Sequence, residues 1–335
     1  MYKTTSPLGC SAFCLRDNGG IWVARNLDVP FTHGHILVNP RHIFKQSIVD
    51  SDPRPAKWTS KWGSITVNLL GIDLPMGGMN ECGLVIEHLW MPGTVYKNHT
   101  KTEKLLEFEW IQHMLDTCSC VESVLSLSEK IEILHDRVEM HFLLADKNNC
   151  ALLEFRDGEK IFYMNSSFSP PVVTNSWYDE AKNYASSVLH SDKSHASTRI
   201  STDSLERFIR LVHATKNICD NASFNTIDTA MQILDSVEDS TLLSAVFHPF
   251  SGSIHFKTCD TSIHRTLQTR DFDFSAHSRL MFDIHETTDQ LRVFDPQEII
   301  KSMKRTLHLG GEFLRLKSYQ EPLISRQTNT RSIFD

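Results

Sequence analysis

A cysteine at position 10, an arginine at 25 and an aspartate at 28 have the types and spacing that nucleophilic chemistry needs. Cys10 opens the strand pattern Cys-Ser-Ala-Phe-Cys-Leu, Arg16-Asp17-Asn18-Gly19-Gly20 follows as a turn, and Ile-Trp-Val-Ala-Arg-Asn-Leu-Asp returns to Asp28. The Asn-Gly-Gly tip predicts a hairpin, because Asn and Gly accept the positive φ that such turns require. Folding back at that tip brings Arg25 and Asp28 beside Cys10. Only a thiolate is a good nucleophile, and a neighbouring guanidinium lowers a cysteine pKa from its usual value of about 8.5. If the Gly9–Cys10 bond is opened, the new α-amine, with an ordinary pKa of about 7.7 to 8, becomes a general base on the nucleophile's own residue. Asp28 can then accept a hydrogen bond from that amine and hold it in place. Without further context the same three residues fit better as an ordinary buried thiol, Cys10, with Arg25 and Asp28 as a surface ion pair.

The elements that must position this hairpin are readable further along the chain. A second hairpin-like passage runs through Gly63-Ser-Ile-Thr-Val-Asn-Leu-Leu-Gly71, a loop from Asp73 to Gly78, and Leu84-Val-Ile-Glu-His-Leu-Trp90, with Met79-Asn80-Glu81-Cys82-Gly83 in its turn. Lys104 to Cys118 carries Leu105, Phe108, Ile111, Met114 and Leu115 at helical spacing, an amphipathic segment that packs one face on a sheet. Met140–Ala145, Ala151–Phe155 and Lys160–Met164 follow as three strands separated by the turns Asp146–Asn149 and Asp157-Gly158. Helical periodicity returns at Ser204–Ala214 and Thr226–Val237, then two strands, Leu242–Phe247 and Ser253–Thr258, flank a His-Pro-Phe-Ser-Gly turn. After about Phe274 the pattern loosens until Asp295-Pro-Gln-Glu298 opens a final helix with a capping box and a proline in its first turn. Strands, helix, strands, helices, strands is the order of an α+β layered sandwich, not of a doubly wound parallel sheet.

Composition narrows the partners. The 335 residues carry a formal charge of -7, which argues against a nucleic-acid binder, since phosphate affinity is built from clustered Lys and Arg. No run approaches the roughly 20 apolar residues of a membrane span. The eight cysteines, Cys10, Cys14, Cys82, Cys118, Cys120, Cys150, Cys219 and Cys259, form no CxxC pair and no zinc-ligand spacing, which points to a reducing compartment. Met1 to Gly9 has no apolar run and reads as no secretory signal, so the expected location is the cytoplasm, or outside it if the true start lies upstream. The Asn-x-Ser/Thr triplets at Asn98, Asn165 and Asn221 are then chance matches. Two histidines in His33-Gly34-His35 lack a third ligand and are read as loop residues, so no metal and no cofactor is expected. The basic stretch Lys301 to Lys317 is read as a solvated terminal helix, and no phosphate loop, His-Glu-x-x-His or Gly-x-Ser-x-Gly occurs.

Four segments in register carry a resemblance. Cys10-Ser-Ala-Phe-x-Leu with Gly20 and Ala24-Arg25-Asn26-Leu27-Asp28 resembles the mature N-terminus of bile salt hydrolases and penicillin V acylases, the choloylglycine hydrolase family. Gly78-Met79-Asn80-Glu81-Cys82-Gly83-Leu84 is similar to that family's Gly-Met-Asn-Glu-x-Gly-Leu segment. Val173-Thr174-Asn175-Ser176 resembles its Thr-Asn-Ser segment, and Ser204-Leu-Glu-Arg207-Phe-Ile-Arg210 its Ser-Arg-Phe-x-Arg helix. Trp58-Thr-Ser-Lys-Trp-Gly-Ser64 is further similar to a bacterial branch described only as linear amide C-N hydrolases.

The resemblance implies a four-layer αββα N-terminal-nucleophile hydrolase sandwich, two antiparallel sheets between helical layers. It implies Cys10 as nucleophile, Arg25 and Asp28 as its support, Asn80 and Asn175 as the oxyanion hole and Arg207 as a second active-site arginine. By residue type alone Asn80 and Asn175 also fit as turn residues stabilising their own backbone. The turn between Cys10 and Arg25 is about one residue shorter than in bile salt hydrolases, which a hairpin tip tolerates. Residues 1–9 are expected to be a leader removed at Gly9–Cys10, residues 10–275 the hydrolase domain, and residues 276–335 a C-terminal extension packed on it. The expected reaction is hydrolysis of an N-acyl small-molecule amide through an acyl-thioester. An acyltransferase passing the acyl group to an amine, or an unprocessed ligand-binding protein, are the alternatives. Phe31, Leu70, Ile72, Leu74 and Met76 are expected walls of an apolar acyl pocket. Conjugated bile acids, penicillin V, N-acyl homoserine lactones and N-acylethanolamines are all left open as substrates, as is self-association.

Overall fold

The structure, a computed structural model, describes residues 9–49, 54–97, 102–134, 138–189, 204–219, 226–258, 260–286, 291–310 and 320–328. Alternating and apolar runs pair into two large antiparallel sheets. The first has six strands in the order β14 (Val172–Val173), β1 (Ser11–Asp17), β2 (Gly20–Asp28), β15 (Thr241–His248), β16 (Ser253–Thr258) and β17 (Thr261–Gln268). The second has nine: β13 (Glu159–Met164), β12 (Cys150–Arg156), β11 (Met140–Ala145), β8 (Val85–Trp90), β7 (Pro75–Asn80), β6 (Ser64–Asn68), β3 (His35–Asn39), β18 (Leu280–Asp283) and β19 (Arg292–Val293). Two small ribbons, antiparallel β4 (Phe44–Gln46) with β5 (Lys57–Thr59) and parallel β9 (Glu103–Leu105) with β10 (Ile131–Ile133), complete the strands among the described residues.

Side-chain alternation along a strand decides which layer meets which. On β2, Arg25 points across to the nine-stranded sheet, where it meets Glu87 of β8, while Asn26 turns the other way and donates to the Leu234 carbonyl of α5 (Thr226–Asp235). On β8, the neighbour of Glu87, His88, faces outward and meets the Phe108 ring of α1 (Glu107–Thr117) edge-on at 5.4 Å. Helices therefore cover both outer faces: α1 lies on β7 and β8, and α4 (Ser204–Cys219) and α5 lie on β1, β2 and β15. This is the expected αββα sandwich. The remaining helices are α2 (Val121–Ser128), α3 (Tyr178–Leu189), which packs beside α4, and α6 (Pro296–Gly310) with α7 (Gln320–Thr328), which pack on each other.

The hairpin tip forms as its residues predict. Asp17 pairs with Gly20, and the Asp17 carboxylate accepts from the Gly19 N–H at 2.7 Å and from the Trp22 indole at 2.8 Å, which locks the turn from within. Gly20, at φ 125°, occupies the positive-φ position.

The structure corrects three element assignments. The expected loop from Asp73 to Gly78 is in its second half strand β7, between β6 and β8. Pro75 stands at the strand's first position, where a missing N–H is tolerated, and of the glycine pair Gly77 makes room for the Glu87 side chain of β8 and Gly78 for the β6 backbone at Ile65 and Thr66. The helix expected from Lys104 begins only at Glu107, because Glu103–Leu105 pairs with Ile131–Ile133 and Glu109 accepts the Leu106 N–H at 2.9 Å to start the first turn. Beyond Phe274, β18 pairs with β3 and extends the nine-stranded sheet. The helix predicted from Asp295 is α6, capped by the Asp295 carboxylate on the Gln297 N–H at 2.8 Å. It turns Ile299, Ile300, Met303 and Leu307 inward, and residues 311–317 of the basic stretch lie outside the described residues. No helix among the described residues is long and apolar enough to cross a membrane.

Candidate active site

Cys10 stands immediately ahead of β1, 2% exposed, with the C-terminal end of β2 beside it. Its thiol donates to the backbone carbonyl of Asp28 at 3.6 Å, and Nη2 of Arg25 reaches its Sγ at 3.8 Å. Burial pushes the thiol above its ordinary pKa; Arg25 and Arg207 pull it down and Asp28 pushes it up. Arg25 is itself buried and is held by Glu87 Oε2 at 2.5 Å and by the Met76 carbonyl at 2.9 Å, both on Nη1. Glu87, in the nine-stranded sheet, has its carboxyl pushed up to about 7 by burial, against the pull of Arg25.

Asp28 is fully buried, and its carboxyl is likewise pushed up to about 7 by burial. One oxygen accepts from the Thr241 hydroxyl at 2.5 Å, while the other, Oδ2, has no hydrogen-bond partner among the described residues. That oxygen faces the backbone ahead of Cys10: a Cβ on Gly9 would lie 3.2 Å from it and 3.1 Å from Asp239 Oδ2. Residues 1–8 of the expected leader lie outside the described residues.

Arg207, on the face of α4 turned to β1, donates through Nη1 to the Cys10 carbonyl at 2.6 Å and the Ser11 hydroxyl at 2.7 Å. Its Nη2 donates to Asn175 Oδ1 at 3.0 Å, which orients the Asn175 amide so that Nδ2 donates to the Trp90 carbonyl at 2.6 Å. Five of the six residues singled out in the sequence thus converge: Cys10, Arg25, Asp28, Asn175 and Arg207.

Asn80 does not join them. Its two amide protons go to the carbonyls of Leu115 and Cys118, at 2.9 and 2.7 Å, where α1 ends. Its Oδ1 accepts the N–H groups of Cys82 and Leu84, at 3.1 and 3.0 Å, and its own N–H donates to the Leu84 carbonyl at 3.0 Å. Every donor is committed, so Asn80 has none for an oxyanion and instead acts as the turn residue that its type also allows.

The expected acyl-pocket walls are all buried and divide between two cores. Phe31, Leu70, Leu74 and Met76 lie in the main core, and Met76 joins the cluster through its carbonyl on Arg25. Ile72 is placed elsewhere: it packs with Leu37, Met281 and Ile299, beneath a C-terminal helix, so it is not a wall of this site. Of the histidine pair, His35 is buried with Nε2 3.5 Å from the Glu298 carboxylate. Sequence reading missed Glu87 and Thr241. Glu87 did leave a signal, a lone carboxylate inside the apolar run Leu84-Val-Ile-Glu-His-Leu-Trp90, since a charge buried in a strand needs a partner.

The fold is similar to that of penicillin V acylase from Agrobacterium tumefaciens, with a TM-score of 0.73 and 22% identity over 86% of this chain and 98% of that one. It is also similar to conjugated bile acid hydrolase from Clostridium perfringens, in two altered forms, each with a TM-score of 0.68 and 16% identity, over 85% of this chain and 96% and 97% of theirs. No curated protein matches the chain. At such identities the likeness establishes the N-terminal-nucleophile hydrolase sandwich and leaves the chemistry to the residues. The sequence pattern described as linear amide C-N hydrolases, choloylglycine hydrolase family, matches residues 10–241, more than half of the chain, and the chain therefore belongs to that family.

Proposed function

We propose that this linear amide C-N hydrolase acts through Cys10 as an N-terminal nucleophile, once the Gly9–Cys10 bond is opened, on the amide of a small molecule with an apolar acyl group. The observation that carries this reading is the unpartnered, buried oxygen of Asp28 aimed at the backbone just ahead of the thiol. A buried carboxylate oxygen without a donor is costly, and an ammonium formed at Cys10 would supply one.

The reaction balances with the groups present. The α-amine takes the thiol proton, Sγ bonds to the amide carbonyl carbon, and the negative charge passes to its oxygen. The Asn175 amide, whose second proton is not used on Trp90, is the candidate donor to that oxygen. The C–N bond then breaks, with the ammonium returning its proton to the leaving amine. Water, deprotonated by the same amine, cleaves the thioester and releases the acid. Arg207 anchors the Cys10 carbonyl, so the nucleophile's backbone does not follow its side chain. The leader would leave by an N-to-S acyl shift: Cys10 Sγ bonds to the Gly9 carbonyl carbon, the Gly9–Cys10 C–N bond breaks as its nitrogen takes up the thiol proton and becomes the α-amine, and water, deprotonated by that amine, cleaves the resulting thioester. Gly9 suits the strained geometry of that shift because it has no side chain.

Intact mass of the purified chain, with turnover of penicillin V, a glycine-conjugated bile acid, an N-acyl homoserine lactone and an N-acylethanolamine, tests the reading. The expected result is a chain beginning at Cys10 that hydrolyses at least one of the four and loses that activity on Cys10→Ser. Turnover that survives Cys10→Ser, or an active chain that keeps residues 1–9, would refute it.

A further inference from the structure

Glu87 lies outside the family motifs, yet it is the group that Arg25 approaches most closely. A guanidinium presents its donors in a rigid planar fork, so fixing Nη1 on Glu87 Oε2 at 2.5 Å and on the Met76 carbonyl at 2.9 Å determines where Nη2 points, which is toward Cys10 Sγ at 3.8 Å. We propose that Glu87 is a positioning residue that aims Arg25 at Cys10 and, through its charge, sets how readily the Cys10 thiol ionises. The inference rests on Cys10 being the nucleophile.

Space for the carboxylate is built into the neighbouring strand. Gly77 pairs with Glu87 across β7 and β8, and a Cβ at Gly77 would lie 2.1 Å from Glu87 Oε2. Any other residue there would push the carboxylate off Arg25. A buried ion pair is weak as a source of stability, because desolvation of both ions offsets their attraction. Its location one guanidinium away from a nucleophile candidate gives it a different use.

The charges around the thiol show how. Above neutrality, where both carboxyls are ionised, Arg25 and Arg207 are balanced by Asp28 and Glu87 when the Cys10 thiol keeps its proton. Asp239, beside Gly9, adds another carboxylate, and His88, next along β8, stays neutral because burial pushes it down to about 3. A thiol proton passed to the Cys10 α-amine is matched by the ammonium that forms, whereas one lost to solvent adds a negative charge that an ionised Glu87 opposes. Burial pushes the Glu87 carboxyl up to about 7, so its opposition grows as pH rises through neutrality, and while it is protonated Arg25 acts on the thiol without Glu87 against it.

The variant Glu87→Gln keeps the shape and an acceptor for Arg25 but has no charge. The rate of Cys10 alkylation by iodoacetamide, located by peptide mass mapping, is measured against pH, with the pH profile of kcat/KM on whichever of the four amides is turned over. The expected result is a shift of the alkylation midpoint and of the acid limb to lower pH by about one unit, the size of one unit charge acting across a guanidinium in a protein interior. A merely structural role would lower activity without moving either midpoint. Glu87→Asp keeps the charge but withdraws it from Nη1, and is expected to lower kcat about 10-fold with KM unchanged. Unshifted midpoints in Glu87→Gln, or wild-type kcat in Glu87→Asp should the first variant not fold, overturn the proposal while leaving Cys10 as nucleophile. Turnover that survives Cys10→Ser overturns the underlying reading instead.

Discussion

Cys10 combines burial, which disfavours a thiolate, with two guanidiniums, which favour one. The balance between them is set by the carboxylates, and Asp28 is the one whose titration is easiest to isolate. Its carboxyl is pushed up to about 7 by burial, so between about pH 4 and 7 the folded protein holds a proton there that the unfolded chain has released. Stability from this group is therefore present at the acid end of that window and lost as pH rises through 7. Asp28→Asn removes the titration and keeps an acceptor for Thr241. Its melting temperature relative to the wild type is expected to rise on going from pH 5 to pH 8, by about 3 °C or more, while removal of residues 1–9 and turnover are lost. Thermal melts at the two pH values check the first half, and a gap that stays constant would mean that Asp28 is not held protonated. At the same scale, Asn175→Ala is expected to lower kcat by about 100- to 1000-fold, as for loss of one oxyanion donor, with alkylation of Cys10 preserved. Single-turnover kinetics separates these effects.

At the scale of elements, the site is an encounter between two sheets and one helix. β1 and β2 bring the thiol, Arg25 and Asp28; β7 and β8 bring Met76 and Glu87; α4 brings Arg207. The turn from β7 into β8 sets how those two strands meet, and Asn80 ties it to the end of α1 through two side-chain hydrogen bonds and closes the turn itself with two more. Asn80→Ala leaves the buried Leu84 N–H, the half-buried Cys82 N–H and the Leu115 and Cys118 carbonyls short of a partner, and is expected to cost about 1–3 kcal/mol in urea unfolding. The pH midpoint for Cys10 alkylation should not move, whereas an oxyanion role would leave stability intact and abolish turnover. Of these elements, the β1–β2 hairpin was legible because Asn-Gly-Gly between two strand-like runs is a local signal. Strand β7 was not, because its glycines serve neighbours that are distant in sequence.

Across the whole molecule, the C-terminal helix closes the far side of the nine-stranded sheet. Gln327 of α7, wholly buried, accepts the Ile72 N–H at 2.9 Å and donates to the Leu323 carbonyl at 2.9 Å, and a Cβ on Gly71 would lie 2.6 to 2.7 Å from its amide. Arg326 meets the buried Glu109 of α1 at 2.7 Å. Gln327→Ala strands the Ile72 N–H and opens a void, and is expected to destabilise by about 2 kcal/mol without changing the acid limb of turnover. Chemical denaturation measures the first, and an unaltered unfolding midpoint would show that α7 is a loose appendage.

The sequence alone determined the hairpin that carries Cys10, Arg25 and Asp28, the α+β class and the family, because these rest on local turn chemistry, on the order of strand and helix patterns, and on motifs read in order. Of the six residues that it assigned to the site, the fold brings five together, Cys10 among them. What only the tertiary structure decided are the partners chosen across layers: Glu87 for Arg25, Thr241 for Asp28, Leu115 and Cys118 for Asn80, and Gln327 for the backbone at Ile72. The physical reason is one of range. A turn or an amphipathic face is fixed by residues a few positions apart, whereas a buried charge or amide takes its role from the donors and acceptors that distant strands bring to it, and those depend on the whole stack of sheets and helices.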